Sequence, residues 1–124
     1  MYKLKFINEQ MDSIAVPYNF GEWTQPVVPL YGVGEITEEP ITTEDGAEQS
    51  TLLLTFFNRG KLVDLLEIKE KIKKHFDPIY GLRADTEGGA IAVFYDGFFP
   101  IPSGEADLKK IQINLKIKEW KGAV

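Results

Sequence analysis

Residues 51–76, TLLLTFFNRGKLVDLLEIKEKIKKHF, decide how this chain folds. The first seven are β-branched, leucine or aromatic, a run that fits a strand covered on both faces or lying at an interface. Asn58-Arg59-Gly60 breaks the run. From Leu62 the apolar residues recur at helical period, with Leu62, Leu65, Leu66, Ile68, Ile72 and Phe76 forming one stripe. Glu67 with Lys71 and Glu70 with Lys74 are i,i+4 pairs in the favourable order, and Lys73 and Lys74 lie where the helix dipole favours cations. Asp77-Pro78 ends the helix.

Working outward, Val27 to Val33 reads as a strand preceding the TLLLTFF run, and Ser50 to Phe57 as its hairpin partner. On the far side of the helix, residues 90–96 read as a strand. The loop GFFPIPSGEAD (97–107) leads from it to KKIQINLKIKEW (109–120). That last segment alternates strictly: Ile111, Ile113, Leu115 and Ile117 face one way, and Lys110, Gln112, Asn114, Lys116 and Lys118 the other. Toward the N-terminus, Leu4, Ile7, Met11 and Ile14 have helical spacing and predict a short helix over residues 4–14, although YKLKF alone alternates like a strand. VPYNFGEWTQP (16–26) reads as a structured aromatic loop. The expected fold is a single α+β domain over residues 1–124. In it, an antiparallel four-stranded sheet packs against one long amphipathic helix, with a short N-terminal helix, in the order α-β-β-α-β-β. Leu65, Ile68, Ile72, Ile111, Ile113 and Leu115 are the expected core.

Composition narrows the function. A chain of 124 residues with 44 % hydrophobic and 27 % charged residues is an ordinary globular length and make-up. Its net charge of −5 argues against a general affinity for nucleic acid backbones while leaving room for a small basic patch, and no specific nucleic-acid binding is expected. Cysteine is absent, so disulfides and thiolate chemistry are excluded. No run of about 18 apolar residues predicts a membrane span, and MYKLKFINEQMDS lacks the apolar centre of a signal peptide. These features predict a cytoplasmic protein.

Few residues suit catalysis or metal binding. The connection around Glu35, Glu38, Glu39, Glu44, Asp45 and Glu48 holds six acidic residues and no basic one. TEEPITTEDGAEQ does not place carboxylates at the alternate positions of a calcium loop, and Pro40 interrupts any tight wrapping. Its plain reading is a solvated hairpin connection. His75 is the single histidine; with no cysteine it makes a poor transition-metal set, and it reads as a partly exposed helix-terminal residue. Gly32-Val33-Gly34 lacks a phosphate-loop pattern and reads as a bulge or bend. No catalytic residue, cofactor or metal site is expected.

Two features point to contacts instead. Phe98, Phe99 and Ile101 put a dense apolar group in an expected loop, either as a lid on the core or as a contact site. Tyr18, Phe20 and Trp23 pose the same choice. Charge is also uneven: Lys109–Lys121 holds five lysines against Glu119, opposite in sign to residues 35–48. Opposed patches at separate places suit a head-to-tail contact, and two unrelated solvated faces explain them as well.

The order of elements, carried by YNFGEWTQPVVPLYGVGEITEE, TLLLTFFNRGKLVDLLEIKEKIKKHF and QINLKIKEW, resembles the tail terminator and tail-completion (head-to-tail joining) proteins of long-tailed bacteriophages. The match lies in pattern and order across most of the chain, and the first helix is shorter than that family's. The resemblance implies a non-enzymatic virion protein that self-associates as a homo-hexameric ring. That ring caps the tail tube, meets the neck or connector proteins and lets DNA pass through its centre. It implies a place in the host cytoplasm during assembly and then in the virion tail. Glu35, Glu38, Glu39, Glu44, Asp45, Trp23, Phe98, Phe99 and Ile101 are the interface residues expected on this reading. The alternative is a small prophage-encoded binding or inhibitor module, monomeric or dimeric, using the aromatic segments 18–23 and 98–101.

Overall fold

The computed structural model describes residues 2–23, 28–38, 47–86 and 88–121. Helix α1 (Tyr2–Ser13) leads into strands β1 (Tyr18–Phe20), β2 (Leu30–Glu38) and β3 (Ala47–Asn58). Helix α2 (Leu62–His75) comes next, and then β4 (Leu82–Thr86), β5 (Gly89–Ile101) and β6 (Lys109–Lys121). The strands form one six-stranded sheet in the order β1-β2-β3-β6-β5-β4, curled into a half-barrel. All neighbours are antiparallel except β1, which runs parallel to β2.

The expected four-stranded sheet on one long helix is therefore incorrect: there are six strands and two helices. The two added strands are the sheet's edges, and both are short. Tyr18–Phe20 lies inside the stretch read as an aromatic loop, and LRADT (82–86) alternates over too few residues to stand out. The first hairpin strand begins at Leu30 rather than Val27 and runs on to Glu38, because Pro29 cannot donate to a ladder. Thus Glu35 and Glu38 belong to β2 and Glu48 to β3, so half of the acidic connection is strand. Strand β5 continues through GFFPI, where a loop was expected. Beyond Val93 it has no second neighbour among the described residues, so Pro100 sits at an open edge where a missing N–H does no harm. A bulge at Asp96, between Tyr95 and Gly97, reverses the faces of the residues after it.

The core lies between the helices and one sheet face. The six expected core residues are all buried, joined by Phe6, Ile7, Met11, Leu52, Leu54, Phe56, Phe76, Ile91, Val93 and Ile117. The apolar stripe of α2 is narrower than its sequence pattern, since Leu62 is 42 % exposed. Its two i,i+4 ion pairs do not close; Lys69 instead holds Glu70 at 2.7 Å. Gly32 and Gly34 are regular strand positions, not a bulge or bend. Both face the core and leave a trough in β2. A β-carbon at Gly32 would clash with the Phe56 ring, and one at Gly34 would stand 2.5 Å from the Tyr18 hydroxyl. Burial raises the Tyr18 pKa.

Two polar contacts fasten α1. His75 at the end of α2 donates from Nε2 to Gln10 Oε1 across 2.7 Å. Burial lowers the His75 pKa, so the folded state favours neutral imidazole. The unfolded chain then binds the proton more readily, and stability is expected to fall as pH drops through about 6.5, the ordinary histidine value, toward the folded one. Urea titrations of wild type and His75→Gln between pH 5 and 8 check this. Only wild type should lose stability in that window, because the chain has no other histidine.

Lys3, 6 % exposed, reaches Glu38 at 2.8 Å and Glu119 at 3.2 Å. Burial draws its pKa down, but the hydrogen bonds and charges of the two carboxylates outweigh it and the net shift is upward. Its contribution is whole below the ordinary lysine pKa and is lost only as pH rises through the raised one. Glu38 is 56 % exposed and Glu119 21 %, so the Glu119 pair is the better shielded from water. Lys3→Met should therefore cost less stability than Glu38→Gln with Glu119→Gln, which strands a buried ammonium. Equal midpoints in urea for the two variants would contradict this.

Candidate functional site

Both helices cover the same face of the sheet, because the residues they pack against all share the core parity of their strands. No described element covers the other face. Its composition is set by strand register. Tyr31, Phe57, Lys110 and Ile101 form one row across β2, β3, β6 and β5, and Val33, Thr55, Gln112 and Phe99 form the next. Segments nearly seventy residues apart in sequence thus meet at one end of this face.

The first row is an aromatic ladder. The Tyr31 and Phe57 rings stack at 5.1 Å with an interplanar angle of 22°, and Trp23 packs against Tyr31 at 5.3 Å, tilted by 38°. The Lys110 ammonium sits 5.3 Å over the Phe57 ring, a cation held against a π face. Phe99 is 45 % exposed beside it. Two grooves border the ladder, separated by Val28 and Pro29. One, about 600 Å³, is lined by Pro17, Trp23, Leu30, Asn58 and Asp64. The other, about 540 Å³, is lined by Tyr31, Phe57, Arg59 and Leu108. The backbone N–H of Arg59 donates to the Pro29 carbonyl at 3.1 Å and fixes the ridge to the end of β3. The Arg59 guanidinium is held by Asp107 at 3.1 Å and Glu105 at 3.5 Å.

Of the residues expected at an interface, Phe99 and Ile101 lie on the open face, and Trp23 packs against Tyr31 at its other side. Phe98 does not: it turns inward against the core, beneath the Lys69 ammonium at 5.0 Å. The lid and the contact site weighed for GFFPIP are thus adjacent residues on opposite faces. Glu35 is exposed on the open face. Glu38 points to the core side and holds Lys3. Glu39, Glu44 and Asp45 lie outside the described residues. The acidic and lysine-rich segments are not at separate places: β3 begins beside β6, with Gln49 opposite Lys118 and Thr51 opposite Lys116. Lys116 and Lys118 thus lie near the start of β3 at the sheet end away from the aromatic ladder, while Lys109 and Lys110 lie at the ladder end.

The sequence reading overlooked Tyr31 and Phe57, which were visible only as strand residues. It also overlooked Ile79 and Tyr80, 75 % and 73 % exposed. Two large apolar residues between Pro78 and Gly81, in a turn too short to fold back, were the available signal.

Stacked rings, apolar grooves and one cation over a ring suit contact with another surface. Among the described residues, no three histidine or acidic side chains converge as a metal site would require, and no helix is long and apolar enough to cross a membrane. Compared with known proteins, the chain matches no family model and no curated relative.

Proposed function

We propose that this chain is a non-enzymatic structural subunit of a phage or prophage virion. It would act as a tail terminator or tail-completion protein that self-associates into a ring at the head-proximal end of the tail. One observation carries the reading: the sheet face opposite both helices presents neighbouring aromatic side chains beside an apolar groove, with no described element over it, and a second groove opens at the sheet end next to α2. Neighbouring aromatic rings held open on a rigid sheet are the kind of surface that partners cover. The order of elements adds support. A first helix, a hairpin, an amphipathic second helix and a closing hairpin succeed one another as the resemblance to that phage family implies, with one short edge strand added to each half.

On this reading the subunit folds in the host cytoplasm and ends in the virion tail, between tail tube and neck proteins. Electron microscopy of the purified protein at high concentration tests the proposal: closed rings of one diameter are expected. Particles of single-subunit or dimer size at every concentration would favour the small binding module instead, whose ligand would occupy the groove beside Trp23.

A further inference from the structure

We propose that the turn Asp77–Gly81 is a plug that inserts Ile79 and Tyr80 into the groove beside Trp23, Val28 and Leu30 on a second copy of this chain. This rests on the ring reading and names the contact that would build it. The turn is a fixed projection. Asp77 Oδ1 accepts from the backbone N–H groups of Ile79 and Tyr80, both at 2.8 Å, and its carbonyl accepts from the Gly81 N–H at 2.9 Å. The two bonds to the carboxylate hold the Asp77 pKa below its ordinary range. Pro78 restricts the backbone. Gly81, at φ 70°, closes the turn with the Phe94 ring packed where a side chain would be. The turn is thus rigid while its two apolar side chains are the most exposed large ones described. A preformed projection loses little freedom on docking.

The groove cannot be filled by the plug of its own subunit. Groove residues Asn58 and Asp64 flank the start of α2, and the plug comes after its end; fourteen helical residues set them roughly 21 Å apart. They also lie toward opposite edges of the sheet, the groove beside β2 and the plug beside β4. A contact between them is heterologous, the type whose repetition closes rings. Charge is complementary in part, with the Asp77 carboxylate on the plug and Lys61 beside the groove running against it. Lys73 and Lys74 in the last turn of α2 stand at the foot of the plug, and Arg83 Nε donates to the Tyr80 carbonyl at 3.1 Å. Asp64 lines the groove and Glu22 adjoins Trp23, while Arg59 is already held by two carboxylates. The groove, about 600 Å³, has room for both side chains. Two side chains bury far less than the roughly 800 Å² per partner of a stable complex. They therefore act as anchors, and pairwise association is weak until closure makes every contact intramolecular.

The chain lacks cysteine, so a Val28→Cys/Tyr80→Cys variant reports the contact directly. Oxidation should convert it to covalent multimers ending in a closed ring, while a mixture of the two single variants should stop at the mixed dimer. Ile79→Ser/Tyr80→Ser and Val28→Glu, both at exposed positions, should each shift the concentration for ring formation upward at least tenfold in native mass spectra, with wild-type melting. Mixed, they should give dimers. Rings in these variants at wild-type concentrations, or only symmetric disulfides joining the two copies through position 80, would overturn the plug and leave the ring standing. Wild type that stays monomeric at every concentration would overturn both.

Discussion

Gly32→Ala is expected to destabilise the fold by about 1–3 kcal/mol or more, although it adds a single methyl group to a strand and improves local chain entropy. The added β-carbon would clash with the Phe56 ring, and Phe56 is fully buried between β2 and β6. The ring cannot retreat without displacing Ile111 or the facing helix side chains, because a close-packed interior leaves no slack. Phe56→Leu alone should also destabilise, by leaving a void over the trough. Together the two changes partly cancel, since the new methyl occupies space the smaller side chain vacates. A double-mutant cycle in urea should give a favourable coupling of about 0.5–3 kcal/mol. Strict additivity would mean that the ring does not rest on Gly32.

The second large effect is on association rather than folding. Tyr31→Ser/Phe57→Ser removes the centre of the aromatic ladder on the open face, where both rings are only partly buried. Such aromatic anchors account for most of the energy of many interfaces. The double variant should weaken self-association by more than tenfold, while the urea midpoint moves far less than for Gly32→Ala. Sedimentation velocity at matched concentrations separates the two readouts. Unchanged association with lowered stability would show that the ladder serves the fold alone.

An element was legible in the sequence where the forces that make it act locally. Helix α2 was readable because its stripe, its terminal cations and its Asp-Pro stop all belong to one short segment. Strand β6 was readable because one dry face and one wet face force strict alternation on Ile111 to Lys118. The edge strands were not readable: Tyr18–Phe20 is held only by pairing with β2, and such pairing leaves no mark in three residues. GFFPI looked like a loop because Gly97 and Pro100 normally end strands, yet an open edge past Val93 tolerates both. The candidate site was half visible. Trp23, Phe99 and Ile101 drew notice as aromatic or apolar residues in apparent loops. Their neighbours Tyr31 and Phe57 did not, since which face of a strand stays uncovered depends on where the helices pack. The glycines at 32 and 34 carried a signal of another kind: two residues apart in a strand, they open a trough on one face that a neighbouring aromatic must fill.

Self-assembly into a closed ring is the claim on which the functional reading depends. Native mass spectrometry of the wild-type chain over a wide concentration range tests it most directly. The expected result is the 14.0 kDa monomer giving way to one closed multiple of that mass, six on the phage-tail reading, with few intermediates, as ring closure requires. A monomer at all concentrations, a symmetric dimer as the end point, or an open-ended ladder of masses would contradict it.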